Sequence, residues 1–168
     1  MDVSSGEQLE IVARLALAGL LGGLIGLERE LRGYPAGIRT LALVTLGSCL
    51  FTDLSQLLAG DDRVAAQIVT GIGFLGAGVI FREGMGVRGI TTAATIWSAA
   101  AIGMAIGLEL YVVGVLGAAI VFVVLQSRPF TRRVDDLIRN SARGVSPALE
   151  EAITGSDLND KEEGRSDD

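Results

Sequence analysis

Between short charged joints, this chain carries predominantly apolar runs of roughly 17–22 residues, the length an α-helix needs to cross about 30 Å of hydrocarbon. Backbone groups inside a bilayer must be satisfied within their own segment, so such runs fold as helices. The runs lie at about 9–27, 38–59, 64–81, 90–107 and 110–126. They predict an all-α integral membrane protein, a bundle of about five transmembrane helices. The composition agrees, since 49% of the 168 residues are hydrophobic and only 20% are charged. The first run follows the acidic stretch "SSGEQLE". A signal peptide begins with positive charge and ends at a small-residue cleavage site, so this run reads as a retained helix.

Arginine sets the orientation. Arg29, Arg32 and Arg39 fall in the first joint, Arg82 and Arg88 in the third, and Arg128, Arg132 and Arg133 after the last run. The second joint, "GDDR", and the fourth, around Glu109, carry little positive charge. Positive residues stay on the cytoplasmic side, and five spans with the N-terminus outside and the C-terminus inside satisfy every joint. The expected organisation is a short extracytoplasmic segment over 1–8, a transmembrane domain over 9–126, a basic juxtamembrane segment over 127–143 and an acidic cytoplasmic tail over 144–168. In the third of these, Phe130, Val134, Leu137 and Ile138 recur at helical spacing. That suits an amphipathic helix on the inner leaflet, or a continuation of the last span. The tail is dominated by Asp and Glu and has the composition of disorder.

The stretch "TGIGFLGAGVIF", Thr70 to Phe81, contains the spelling G-x-G-x-x-G. A dinucleotide loop also needs a preceding strand, a helix opening at the glycines and an acid about 20 residues on. Here the glycines sit within a span, and Ile96, Trp97 and Ser98 occupy the place of the acid. Glycine has another use in a bilayer, where helices associate by close backbone approach. Gly19 with Gly23 and Gly22 with Gly26 give the first span two overlapping G-x-x-x-G faces. In the third, Gly71 and Gly78 lie seven apart on one face, with Gly73 and Gly76 alongside. These glycines are read as contact surfaces, between spans of one chain or between chains.

Polar residues inside spans are costly, which makes each one a candidate for function. Asp53 lies toward the outer end of the second span. Three readings stand open for it: snorkelling to interfacial water, a cation or proton site, or a pair with Arg63. Thr45, Ser48 and Thr52 share one face of the same helix, Gln67 and Thr70 sit on the third span, and Thr91, Thr92, Thr95 and Ser98 on the fourth. Together with Asp53 they line a hydrated pocket, or each is interhelical glue. At the inner surface Glu28, Arg29, Arg39, Arg82, Glu83 and Arg88 share one depth. They form an ion-paired layer, or a surface that meets lipid phosphate or a partner. Arg14 is expected to snorkel outward, and Trp97 to be a packing residue or pocket wall. With no histidine and one cysteine, a zinc or haem site built from the usual ligands is excluded. No catalytic constellation is present, no cofactor is expected, and a metal remains unassigned.

Four stretches in order, "GLIGLERE", "PAGIRTLALVTLGSCLF", "QIVTGIGFLGAGVIFREG" and "VRGITTAATIWSAAAIGMAIG", resemble the membrane domain of the MgtC/SapB family over about residues 17–107. Matching positions are Gly22, Gly26, Glu28, Arg29, Gly37, Arg39, Thr40, Gln67, Gly71, Gly73, Gly76, Gly78, Arg82, Gly89, Thr91, Thr92, Ala93 and Trp97. The resemblance implies a multi-pass protein of a bacterial or archaeal cytoplasmic membrane, linked to magnesium or envelope stress. Such a protein is a non-enzymatic regulator acting through helix contacts with a membrane complex such as the proton-translocating ATP synthase. The alternative is a cation (magnesium or proton) or small-solute permease working as an oligomer. The expected partners are the lipid bilayer, further copies of the chain and another membrane complex, with no nucleic acid. Longer members carry a cytoplasmic regulatory domain after the spans, and the residues after Gly144 are too few and too acidic to make one.

Overall fold

Five helices fall on the five apolar runs. The computed structural model describes residues 4–58, 62–83 and 86–127, so the juxtamembrane and tail segments expected after Ser127 lie outside the described residues. The helices are α1 (Ser5–Leu31), α2 (Ile38–Leu58), α3 (Asp62–Gly78), α4 (Ile90–Gly107) and α5 (Tyr111–Gln126). Between α3 and α4 two short strands, β1 (Phe81–Glu83) and β2 (Gly86–Arg88), pair antiparallel with Arg82 opposite Val87. The sequence reading had only a charged joint there. Helices α1, α2 and α4 have the length and composition to cross a membrane, and α5 is shorter but strongly apolar. The architecture is that of an all-α membrane bundle with a small hairpin. It occupies the compact unit Met1–Val123; of the second unit, Val124–Asp168, only the last turn of α5 and Ser127 are described.

Local chemistry fixes the helix ends. Ser4 opens α1 with a capping box: its hydroxyl accepts from the Glu7 amide, and its own amide donates to the Glu7 carboxylate at 2.8 Å. This satisfies two of the donors that every helix start leaves orphaned. At the other end of α1, Glu30 reaches past the turn and accepts from the Ile38 amide at 2.9 Å, so a side chain of one helix caps the next. Gly89 precedes α4 with φ +93°, and a Cβ there would collide with the Val79 carbonyl. Only glycine fits that position.

The distribution of polarity is inverted relative to a water-soluble bundle. Thr45, Ser48, Thr52, Asp53, Thr92, Thr95, Glu28 and Arg29 are buried, while Leu20, Leu24, Phe74, Val112, Val123 and Val124 are exposed. Apolar side chains facing outward are what a hydrocarbon solvent favours. Helix α2 runs between α1 and α4, and glycines on both neighbours bring it into backbone contact. A Cβ on Gly22 would strike Thr45 Oγ1 and the Leu41 carbonyl, and one on Gly26 would stand 2.7 Å from the Gly37 carbonyl oxygen. From the opposite side, a Cβ on Gly103 would strike the Thr45 carbonyl, and one on Gly107 would lie 2.7 Å from the Cys49 carbonyl oxygen. Thr45 is therefore clasped from two directions.

The glycine contacts differ from the expected set. Gly19, Gly23 and Gly76 make ordinary contacts, with Leu46, Ala42 and Ala93 respectively. Around Gly71, Gly73 and Gly78, nothing lies within 4 Å of where a Cβ would stand. Gly103 and Gly107, a G-x-x-x-G pair in α4 that sequence reasoning passed over, carry the α2–α4 contact instead.

Candidate functional site

Two clusters of buried charge mark opposite ends of α1. Arg14 and Glu28 are fourteen residues apart, which is about 21 Å along a helix.

The first cluster is a three-way ion pair. Arg14, on α1, places one guanidinium nitrogen 3.0 Å from Asp53 Oδ1 on α2 and another 2.7 Å from Glu109 Oε1 in the α4–α5 turn. The Arg14 and Asp53 side chains are only 10% and 4% exposed, whereas Glu109 is 64% exposed. Cys49, one turn before Asp53, directs its thiol at Asp53 Oδ2 across 3.6 Å. Glu109 reaches Arg14 from a left-handed backbone conformation, φ 61°. That conformation is uncommon for a residue with a Cβ and costs roughly 1–2 kcal/mol. The charge-assisted bond to a nearly buried arginine is what the turn gains from it.

Arg14 and Asp53 are placed otherwise than as two snorkelling side chains. Arg14 turns inward rather than snorkelling, because a carboxylate one helix away offers a partner inside the bundle. Asp53 is neutralised by Arg14 rather than reaching water or pairing with Arg63. The signal available in the sequence was that the first two spans carry charges of opposite sign, Arg14 and Asp53, toward the ends expected to face outward.

The second cluster lies where α1 turns into α2. Arg29, 2% exposed, donates to Thr92 Oγ1 of α4 at 3.0 Å and stacks on the Tyr34 ring, 3.6 Å from its centroid. Glu28 is buried beside it and pairs with Arg32 at 2.7 Å. A buried guanidinium is tolerated only when hydrogen-bonded and packed, and here α1, the turn and α4 all contribute. Arg39, Arg82 and Arg88 are exposed, the last two on the hairpin. The inner-surface charges thus divide into a buried pair and exposed arginines rather than forming one layer.

The hydroxyls expected to line a pocket are mostly turned onto their own helices. Thr45 donates to the Leu41 carbonyl at 2.7 Å, Thr52 to Ser48 at 2.8 Å, Thr95 to Thr91 at 2.7 Å and Ser98 to Ala94 at 2.9 Å. Thr70 donates to Ala66 in the same way and is exposed, as are Gln67 and Thr91. Trp97 is exposed on α4 rather than walling a pocket. A cavity of about 540 Å³ lies between α2 and α3 and is largely apolar, with Ser48 and Gln67 its polar members. Asp53 is not on its wall. Among the described residues, no group of three or more Cys, Asp or Glu side chains is placed to hold a metal ion.

With the bundle's geometry in hand, comparison with known proteins is decisive. The model of the MgtC family matches residues 15–134. This chain belongs to the MgtC family. The match takes in Glu28, Arg29, Asp53, Thr92 and Glu109 and begins one residue after Arg14. Proteins named MgtC are similar to it: that of Brucella abortus (strain 2308) is 58% identical over 98 residues, covering 56% of this chain and 41% of the relative. That of Salmonella typhimurium (strain LT2) is 56% identical over 99 residues, covering 58% and 43%. The Escherichia coli K12 protein named "Putative magnesium transporter YhiD" is 43% identical over 128 residues, covering 70% and 60%. The chain thus spans about two fifths of the length of the MgtC relatives. No solved structure matches it significantly. As in the rest of the MgtC family, the chain is a multi-pass protein of the cell membrane.

Proposed function

We propose that this chain is a magnesium-linked, non-enzymatic membrane regulator that acts by helix contact with a larger membrane complex. The membrane sector of the ATP synthase is the candidate the resemblance implies. The magnesium link is supported by family membership and by the name of the E. coli relative. The arginine distribution supports a bundle with its N-terminus outside and its C-terminus in the cytoplasm.

One observation carries the choice of a regulator over a permease: Asp53 and most of the buried hydroxyls already have partners within the bundle. A permeation path needs ligands that a passing ion or solute can take up. Asp53, a buried carboxylate of α2, is held by Arg14. Thr45, Thr52 and Thr95 donate to backbone carbonyls within their own helices. Glycine contacts draw α1, α2 and α4 together where such a path would run.

The test is magnesium and proton flux into liposomes holding the purified protein, with Asp53→Asn as the paired variant. Flux at the level of empty vesicles is expected for both. Flux that the wild type supports and Asp53→Asn loses would make the protein a permease and overturn this reading.

A further inference from the structure

One buried hydroxyl is left over from the bundle's internal hydrogen bonding. Thr45, Thr52 and Thr95 each donate to the carbonyl four residues earlier, and Thr92 accepts from Arg29. Ser48 is buried like these, at 3% exposure, yet its hydroxyl makes no hydrogen bond among the described residues. It lies on the wall of the cavity between α2 and α3. A polar group is costly to leave unpaired in an apolar interior, so its partner is expected from within the cavity.

Depth decides what that partner is. Ser48 stands ten residues from either end of α2, which is about 15 Å along the axis. That is the middle of a hydrocarbon layer about 30 Å thick. No bulk water reaches that level, and the ester and headgroup of a phospholipid lie about 15 Å away, at the interface. The cavity walls run from Leu43 to Phe51 on α2 and from Val64 to Leu75 on α3, about 12 and 17 Å of helix. The cavity is therefore a slot along the helices. Gly47 and Gly71, one on each wall, keep it open, since nothing lies within 4 Å of where their Cβ would stand. Among the described residues its lining carries no charge.

We propose that this slot binds an uncharged lipophile whose carbonyl groups lie inside the hydrocarbon, the chemistry of a membrane quinone. Its volume of about 540 Å³ and its apolar walls with two polar groups are those of a small-molecule site. The Ser48 hydroxyl donates to one carbonyl. A quinone carries two carbonyls on opposite sides of its ring, and the carboxamide of Gln67, on the other wall, is a donor for the second. An acyl chain would fill the slot but leave Ser48 unpaired, and a charged amphiphile would have to carry its headgroup to the bilayer middle. Asp53 is not on the wall, so the site is separate from the Arg14 pair and serves a regulator or a permease alike.

The test uses the full chain in lipid nanodiscs with an azido-substituted decyl benzoquinone as photoprobe, the labelled residues being read by mass spectrometry. Label is expected on α2 over 43–51 and on α3 over 64–75, and unlabelled decyl benzoquinone in excess should displace it. Gly71→Leu puts a side chain where there is open space and should abolish the labelling. Ser48→Ala keeps the Cβ and removes only the donor, and should weaken half-saturation by about three- to tenfold, the worth of one hydrogen bond. Both variants are checked for folding by circular dichroism, and the displacement experiment on the wild type requires neither. Label that is not displaced, or that falls on the outward-facing residues of α5 as strongly as on the slot, is partition into lipid and would overturn the proposal. So would Gly71→Leu labelling like the wild type. Unchanged affinity in Ser48→Ala, or equal displacement by phosphatidylglycerol, would give the slot to an acyl chain and refute the carbonyl reading.

Discussion

Replacing Arg14 by Gln should damage the bundle more than replacing the carboxylate it neutralises. In Arg14→Gln, Asp53 remains at 4% exposure with its charge unpaired. Breaking a buried pair in this way costs about 3–5 kcal/mol. In Asp53→Asn, Arg14 still has Glu109 at 2.7 Å, and the new amide oxygen remains a hydrogen-bond acceptor. The loss there should be about 1–2 kcal/mol. The double variant buries no unpaired carboxylate, so it should be more stable than Arg14→Gln alone, by about 2–3 kcal/mol. Cys49 supplies the assay, because it is the chain's single cysteine and is fully buried. A fluorogenic thiol reagent in detergent lights up only as the bundle opens. Arg14→Gln should lower the melting midpoint on the order of 10 °C, at about 2–4 °C per kcal/mol for a chain of this size. Arg14→Gln melting with the wild type, Asp53→Asn proving the worse of the two, or strictly additive effects would each refute the reasoning.

The glycine contacts make a paired prediction. Gly103→Ala puts a methyl group against the Thr45 backbone carbonyl and 3.0 Å from Ser48 Cβ, and should cost about 1–3 kcal/mol by overpacking. Gly73→Ala, with nothing within 4 Å, should be neutral or stabilising by about 0.5–1 kcal/mol; both are read by the same thiol assay. At the second charge cluster, Thr92→Val keeps the shape but removes the oxygen that accepts from Arg29 at 3.0 Å. It should cost about 1–3 kcal/mol, while Thr91→Val, at an exposed position, should cost little.

The number, length and order of the helices were legible in the sequence because hydrophobic length is a property of consecutive residues. A run either spans the hydrocarbon or does not, and the helices start and stop close to where charge interrupts the runs. Gly22 and Gly26 were legible for a similar reason: four-residue spacing places two glycines on one helix face whatever the neighbour is. Tertiary structure alone decided which neighbour each face meets. Arg14 and Glu109 are 95 residues apart and Arg29 and Thr92 are 63 apart, so no local pattern announces either bond. The glycines show the same division. Gly71, Gly73 and Gly78 were as conspicuous in sequence as Gly22 and Gly26, yet among the described residues nothing lies within 4 Å of where their Cβ would stand, while Gly103 and Gly107 in the alanine-rich α4 touch the α2 backbone. Sequence states that a helix face can accept a close neighbour. Only the assembled bundle states whether that neighbour lies within the chain, because the choice is made by the packing of all the helices at once.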